Sequence, residues 1–126
     1  MEPLRVLIVD DEAELVTALE ERLNLRGFEA RGVTTGADAL ALLAEEPFDV
    51  VLLDLKMPGL GGLEVIKRIK EEQPRLRVIL LTGWGSEEDA EKGKALGAYD
   101  YLMKPVKISD LVRVLLSACD REEGGG

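Results

Sequence analysis

Three short runs, Val6-Leu7-Ile8-Val9, Val50-Val51-Leu52-Leu53 and Val78-Ile79-Leu80-Leu81, constrain this chain more than any other feature. Each is continuously apolar, so each needs cover on both faces, as the inner strands of a parallel sheet do. Helical spacing fills the intervals between and after them. Leu15, Leu19 and Leu23 form one stripe over residues 12–26, which Gly27 ends. Thr35 is placed to cap a second helix that carries Leu40 and Leu43, and Pro47 ends it. Leu63, Ile66 and Ile69 mark a third helix that stops before Pro74. Ser86, with Asp89 three residues later, resembles a capping box that opens a fourth, which Gly97 ends. Ile108, Leu111, Val112, Leu115 and Cys119 give the last helix its stripe. Two further strands complete the alternation. Residues 28–31 alternate apolar and polar like a half-exposed edge strand, and residues 99–103 form the other.

Five strands in strict alternation with five helices predict an α/β fold. The expected architecture is a doubly wound, five-stranded parallel sheet with helices on both faces, joined by right-handed crossovers. The most apolar strands, residues 4–9, 48–53 and 78–81, belong in the centre, and the two mixed strands at the edges. A 2-1-3-4-5 order satisfies this, as in flavodoxin-like folds. The chain shows no internal repeat and no second domain. One domain is expected over residues 1–120, with 121–126 as a flexible tail or the start of a linker.

A formal net charge of −9 disfavours nucleic acid and acidic membrane surfaces as direct partners. No run of 18 apolar residues is present, so no transmembrane helix is expected. The single cysteine, Cys119, sits in a helical apolar pattern, where core filling is its expected role. Met1-Glu2-Pro3 leaves no room for a signal peptide. Both features fit a cytoplasmic protein. With no histidine, the chain cannot use that residue as base, metal ligand or phosphocarrier.

Charged residues sit where the apolar runs end. Asp10 and Asp11 follow the first run, Asp54 follows the second, and Lys104 follows Tyr101-Leu102-Met103. If the runs are parallel strands, three carboxylates and an ammonium converge at the sheet edge where open α/β folds bind ligands. Close carboxylates repel unless a cation joins them, so the cluster predicts a hard divalent ion, Mg²⁺. Each residue also has a plainer reading. Asp10, Asp11 and Glu12 could favour a helix N-terminus through its dipole. Asp54 could be a loop cap, Thr82 a strand-end hydroxyl bonded to its own backbone, and Lys104 a structural ion-pair partner. Tyr101 reads by default as a partly buried edge-strand aromatic. Gly59, Gly61 and Gly62 do not complete a dinucleotide-binding loop, because Glu64 takes the last place; they read as a turn and helix entry.

Taken in order, Val9-Asp10-Asp11-Glu12, Asp54-Leu55-Lys56-Met57-Pro58-Gly59, Leu81-Thr82-Gly83 and Tyr101-Leu102-Met103-Lys104-Pro105 resemble the receiver domain of bacterial two-component response regulators. The resemblance runs through nearly the whole chain. It implies that Asp54 accepts a phosphoryl group from a partner histidine kinase or phosphotransfer protein, as an acyl phosphate. It implies that Asp11 ligates Mg²⁺ directly, that Asp10 holds metal-bound water, and that Asp54 and the Lys56 backbone carbonyl complete the protein ligands. Thr82 would hydrogen-bond one phosphoryl oxygen, and Lys104 would pair with another across a cis bond to Pro105. The same likeness makes Thr82 and Tyr101 the switch pair, the ring turning inward as the hydroxyl moves toward phosphate. A domain of this kind is no classical enzyme, though it assists its own phosphorylation and dephosphorylation.

Lys56 and Trp84 each lie two places beyond a key residue and should flank the phosphoryl site, where a long cation and an indole could restrict the hydrolytic water. A fairly long-lived phosphoryl state is the expectation. The segment from Thr82 to Gly97 is rich in glycine, and its helix is expected to offer mainly Ala90, Ala95 and Leu96 to the core. Such weak anchoring marks a mobile element. It places the output surface for a downstream effector on the fourth helix, fifth strand and fifth helix, a face that could also support a phosphorylation-dependent homodimer. Three alternatives compete. An aspartyl-phosphate phosphatase wants a second acid at Lys56, an inert receiver-like scaffold would have lost acidic or lysine residues, and a flavodoxin-like protein would not place Asp-Asp-Glu against a flavin phosphate.

Overall fold

The computed structural model describes residues 2–83 and 87–120. Five strands alternate with five helices: β1 (Arg5–Val9), α1 (Ala13–Leu25), β2 (Glu29–Val33), α2 (Gly36–Glu45), β3 (Val50–Asp54), α3 (Gly62–Glu72), β4 (Arg77–Thr82), α4 (Glu87–Ala95), β5 (Asp100–Met103) and α5 (Ile108–Ala118). All pairings are parallel, in the order β2-β1-β3-β4-β5. The expected doubly wound sheet is therefore present, with the apolar strands inside and the mixed ones outside.

Alternation along the strands divides the core in two. Leu7, Val9, Val51, Leu53, Val78 and Leu80 point to one face, against α2, α3 and Ala90 of α4. Val6, Ile8, Val50, Leu52, Ile79 and Leu81 point to the other, against α1 and α5. These twelve side chains are fully buried, which is why the runs carry no polar alternation. Each contributes about 1.5–3 kcal/mol of transfer free energy.

Helix ends follow local chemistry. Gly27 has φ +90°, its N–H bonds to the Asn24 carbonyl, and the Phe28 N–H reaches back to Leu23. That double return ends α1 in a left-handed glycine that a β-carbon would strain. Gly97 ends α4 in the same way, with φ +117° and bonds from Gly97 to Lys94 and from Ala98 to Gly93. Thr35 Oγ1 accepts from the Asp38 N–H and caps α2. The capping-box reading of Ser86, the Trp84 hypothesis and the tail 121–126 fall outside the described residues.

Several expectations need correction. The second strand continues past Arg31 to Val33, because Gly32 lets α1 approach; a β-carbon there would lie 2.0 Å from Val16 Cγ1. In α3 the inner face is Val65, Ile66 and Ile69, with Leu63 only half-buried. Cys119, at the C-cap of α5, packs against the core as expected, though only half-buried. The largest correction concerns α4. Ala95 and Leu96 are exposed, and the described helix buries only Ala90 and Gly93. Gly93 lies one turn on from Ala90, and its missing side chain lets the helix rest on Leu80, whose Cδ1 would be 2.3 Å from a β-carbon.

Candidate functional site

The carboxyl ends of β1, β3 and β4 open onto one edge of the sheet. Asp10 follows β1 directly and is fully buried; Asp54 is the last residue of β3 and is 5% exposed; Thr82 ends β4 at 2%. They are the only buried polar or charged residues among those described. Asp11 extends from the same loop into solvent. Asp10, Asp11 and Asp54 each offer a carboxylate oxygen, and these oxygens lie within 4.8 Å of one another.

Local hydrogen bonds fix the loops that carry these groups. Asp10 Oδ1 accepts from the Glu12 N–H at 2.9 Å, and Asp54 Oδ1 accepts from the Lys56 N–H at 3.2 Å. Each aspartate thus turns the chain two residues beyond itself. Gly62 N–H returns to the Leu55 carbonyl at 3.2 Å and closes the β3–α3 loop. A β-carbon on Gly62 would sit 2.6 Å from Leu55 Cα and 2.7 Å from the Asp54 carbonyl oxygen, so only glycine fits behind Asp54. Thr82 Oγ1 donates a long bond of 3.5 Å to the Leu102 carbonyl. The Lys104 N–H bonds to the Thr82 carbonyl at 2.7 Å, which ties the end of β5 to that of β4. The Lys104–Pro105 peptide bond is cis.

Lys104 faces several carboxylates. Its Nζ lies 2.7 Å from Asp10 Oδ2, 3.0 Å from Glu12 Oε2 and 3.5 Å from Asp54 Oδ2. Burial pulls the ammonium pKa down, but the close carboxylates of Asp10 and Glu12, with the charge of Asp54, outweigh it and hold the group above the ordinary lysine range. The Asp54 carboxyl is also raised, from 3.8 to about 6, which for an acid favours the neutral form. Burial is the main cause; the Lys56 N–H opposes it, the charge of Asp10 adds to it, Lys104 opposes it, and a contact with Asp11 adds a little.

The residues present fit a hard cation. Asp10 Oδ2 is buried and has no hydrogen-bond donor; its 2.7 Å contact with Lys104 neutralises charge without directed hydrogen-bond geometry. One ammonium among four carboxylates leaves the edge strongly negative. An all-oxygen donor set with only one or two ligands deep in the fold suits Mg²⁺, which retains several waters.

Other sequence-derived candidates are placed as follows. The Lys56 side chain is exposed next to this edge. Tyr101 is half-buried against the α2/α3 core, with Lys94 Nζ 6.0 Å from its ring centre. Thr82 lies two residues after Leu80 and so faces the same side of the sheet as that core. Glu12 has a place that spacing alone gives no sign of, since its partner Lys104 is 92 residues away. Clefts of about 450 and 510 Å³ open around Phe48 and Asp49, at the opposite end of β3 from Asp54.

Comparison with known proteins agrees with this arrangement. The family model described as "Response regulator receiver domain" matches residues 6–116. Sporulation initiation phosphotransferase F of Bacillus subtilis is 36% identical over 107 residues, covering 85% of this chain and 86% of that protein. Regulatory protein AtoC of Escherichia coli is 37% identical over 107 residues, but there the match covers 85% of this chain and only 23% of the relative. A crystal structure of a response regulator receiver domain protein from Clostridium thermocellum superimposes with a TM-score of 0.89 at 32% identity, covering 93% of this chain and 94% of that one. The chain belongs to the response regulator receiver-domain family of two-component signalling.

Proposed function

We propose that this receiver domain is a switch in which Asp54 accepts a phosphoryl group from a phosphohistidine on a partner histidine kinase or phosphotransfer protein. The observation that carries the reading is the convergence of Asp54 with Asp10, Asp11 and Lys104 at one sheet edge. With its pKa near 6, Asp54 is ionised at neutral pH and can attack phosphorus. A carboxylate oxygen forms the new bond, the P–N bond of the donor breaks, and the electron pair leaves on the imidazole. Asp10, Asp11 and Asp54, with the Lys56 carbonyl, would hold Mg²⁺, which when bound offsets negative charge on the phosphoryl oxygens. Lys104 supplies a cation on the other side, and the Thr82 hydroxyl, held only by a 3.5 Å bond, is free to turn toward the new group. The same site would assist hydrolysis of its own acyl phosphate, at a rate restrained by the exposed Lys56 and by Trp84.

The phosphoryl group adds about −1.5 to −2 charge and needs a bistable element to act through. We place that element in residues 82–97, because α4 buries only Ala90 and Gly93 among its described residues. Thr82 and Tyr101 would couple the site to the face formed by α4, β5 and α5, which would meet a downstream effector or a second copy of the domain. The domain is assigned to residues 1–120 and to the cytoplasm, and its net negative charge argues that the domain makes no direct contact with nucleic acid by itself. No described helix is long and apolar enough to cross a membrane.

Reductive trapping tests the acceptor. Borohydride converts an aspartyl phosphate to homoserine, so peptide mapping after phosphorylation should find homoserine at position 54; homoserine elsewhere, or none, would refute the assignment. Amide exchange should change across 87–97 on phosphorylation, and an unchanged α4 would refute the output face. Sedimentation with and without phosphorylation separates dimer from monomer.

A further inference from the structure

Lys104 is already engaged in the unphosphorylated protein, and not chiefly by the acceptor. Its two shortest contacts go to the β1–α1 loop, 2.7 Å to Asp10 and 3.0 Å to Glu12, while Asp54 lies at 3.5 Å. The two loop partners differ. Asp10 is fully buried, so withdrawing the ammonium would strand a charge. The Glu12 side chain is 62% exposed, and its carboxylate can be resolvated at little cost. Glu12 makes no side-chain cap for α1, although it occupies the N-cap position; its carboxylate instead accepts a hydrogen bond from Lys104 Nζ. The side chain that could finish the helix is directed to the site.

We propose that Glu12 is a positioning residue, a releasable latch that holds the Lys104 ammonium off the acceptor until a phosphoryl group displaces it. The inference rests on Asp54 as acceptor and Lys104 as the phosphoryl-pairing cation. During transfer from acetyl phosphate, an Asp54 carboxylate oxygen forms a bond to phosphorus, the P–O bond to the acyl group breaks, and its electron pair leaves on acetate. No proton moves. The new dianion then competes with Glu12 for the same ammonium. Glu12 is the partner given up, because its exposed carboxylate returns to water at little cost.

A double-mutant cycle on the full chain tests this, using acetyl phosphate as donor at saturating Mg²⁺, so that metal affinity does not enter. Glu12→Gln is expected to raise the phosphorylation rate roughly two- to fivefold, the equivalent of a partly exposed ion pair. The gain should vanish in a Lys104→Met background, followed over hours by intact mass. An equal gain in both backgrounds would mean that Glu12 merely repels the anionic donor, and would overturn the latch. A slower Glu12→Gln protein would overturn it too, making Glu12 an aid to transfer. A parent protein that takes up phosphate while Glu12→Gln matches it refutes the latch alone; a parent that takes up none refutes the acceptor reading beneath it. A second readout needs neither phosphate nor metal. In the metal-free protein, Glu12→Gln should lower the thermal midpoint of the parent but not that of Lys104→Met, and a shift equal in both would show that the two side chains do not meet.

Discussion

Replacing Asp54 with Asn should stabilise the metal-free protein. The Asp54 carboxyl rises from 3.8 to about 6 in the folded state, with burial as the main cause. An acid whose folded pKa is raised binds its proton more tightly when folded, so its contribution to stability is complete below about pH 4. It is lost as pH climbs toward 6, and stays lost above. At full value the shift of about two units corresponds to about 3 kcal/mol. The site opens to solvent at the end of β3, and screening there reduces the expectation to about 1–2 kcal/mol. Urea unfolding in a chelator at pH 7.5 should find Asp54→Asn more stable by that amount, or roughly 4–8 °C in thermal midpoint. The advantage should shrink steadily below pH 6 and vanish near pH 4. Adding Mg²⁺ should stabilise the parent more than the variant, because the ion offsets the repulsion that the substitution removes. A variant no more stable than the parent at pH 7.5, or one whose advantage does not depend on pH, would refute the argument.

Three further outcomes follow from the packing. Gly62→Ala drives a β-carbon into the backbone of Leu55 and Asp54, neither of which can yield, so it should cost about 1–3 kcal/mol in urea unfolding and slow phosphorylation as well. Thr35→Ala removes the side-chain cap of α2 and should cost about 0.5–2 kcal/mol without changing the phosphorylation rate. Leu25→Lys, at a side chain 84% exposed, should alter stability by no more than about 0.5 kcal/mol in the same assay.

The sheet was legible because its three inner strands are covered on both faces. Val6–Val9, Val50–Leu53 and Val78–Leu81 can be nothing but apolar there, and their unbroken runs announce the topology. Glycine stops were equally plain, since Gly27 and Gly97 both take the left-handed conformation. The fourth helix departs from its hydropathy pattern because apolarity there does not entail burial. Ala95 and Leu96 look like core residues, yet the helix rests on Ala90 and on the bare backbone of Gly93, which no hydropathy pattern marks. β2 outran its alternation because the strand is defined by pairing with β1 as far as Val9↔Val33, and Gly32 carries no side chain to show a face.

For the candidate site, the positions of Asp10, Asp54 and Lys104 follow from strand ends, because a parallel sheet gathers its carboxyl termini at one edge, whereas Thr82 is marked only by the family resemblance. Their contacts do not follow in this way. The order of partners around Lys104, with Asp10 and Glu12 nearer than Asp54, depends on how the β5–α5 turn delivers the side chain across the sheet. Sequence spacing holds no record of that reach.

Asp54 as a Mg²⁺-dependent phosphoryl acceptor is tested by intact mass after incubation with acetyl phosphate, with Mg²⁺ and with a chelator, for the parent and Asp54→Asn. One labile phosphoryl group is expected on the parent, only when Mg²⁺ is present, and none on the variant. An adduct on both proteins, or one indifferent to Mg²⁺, would contradict this role.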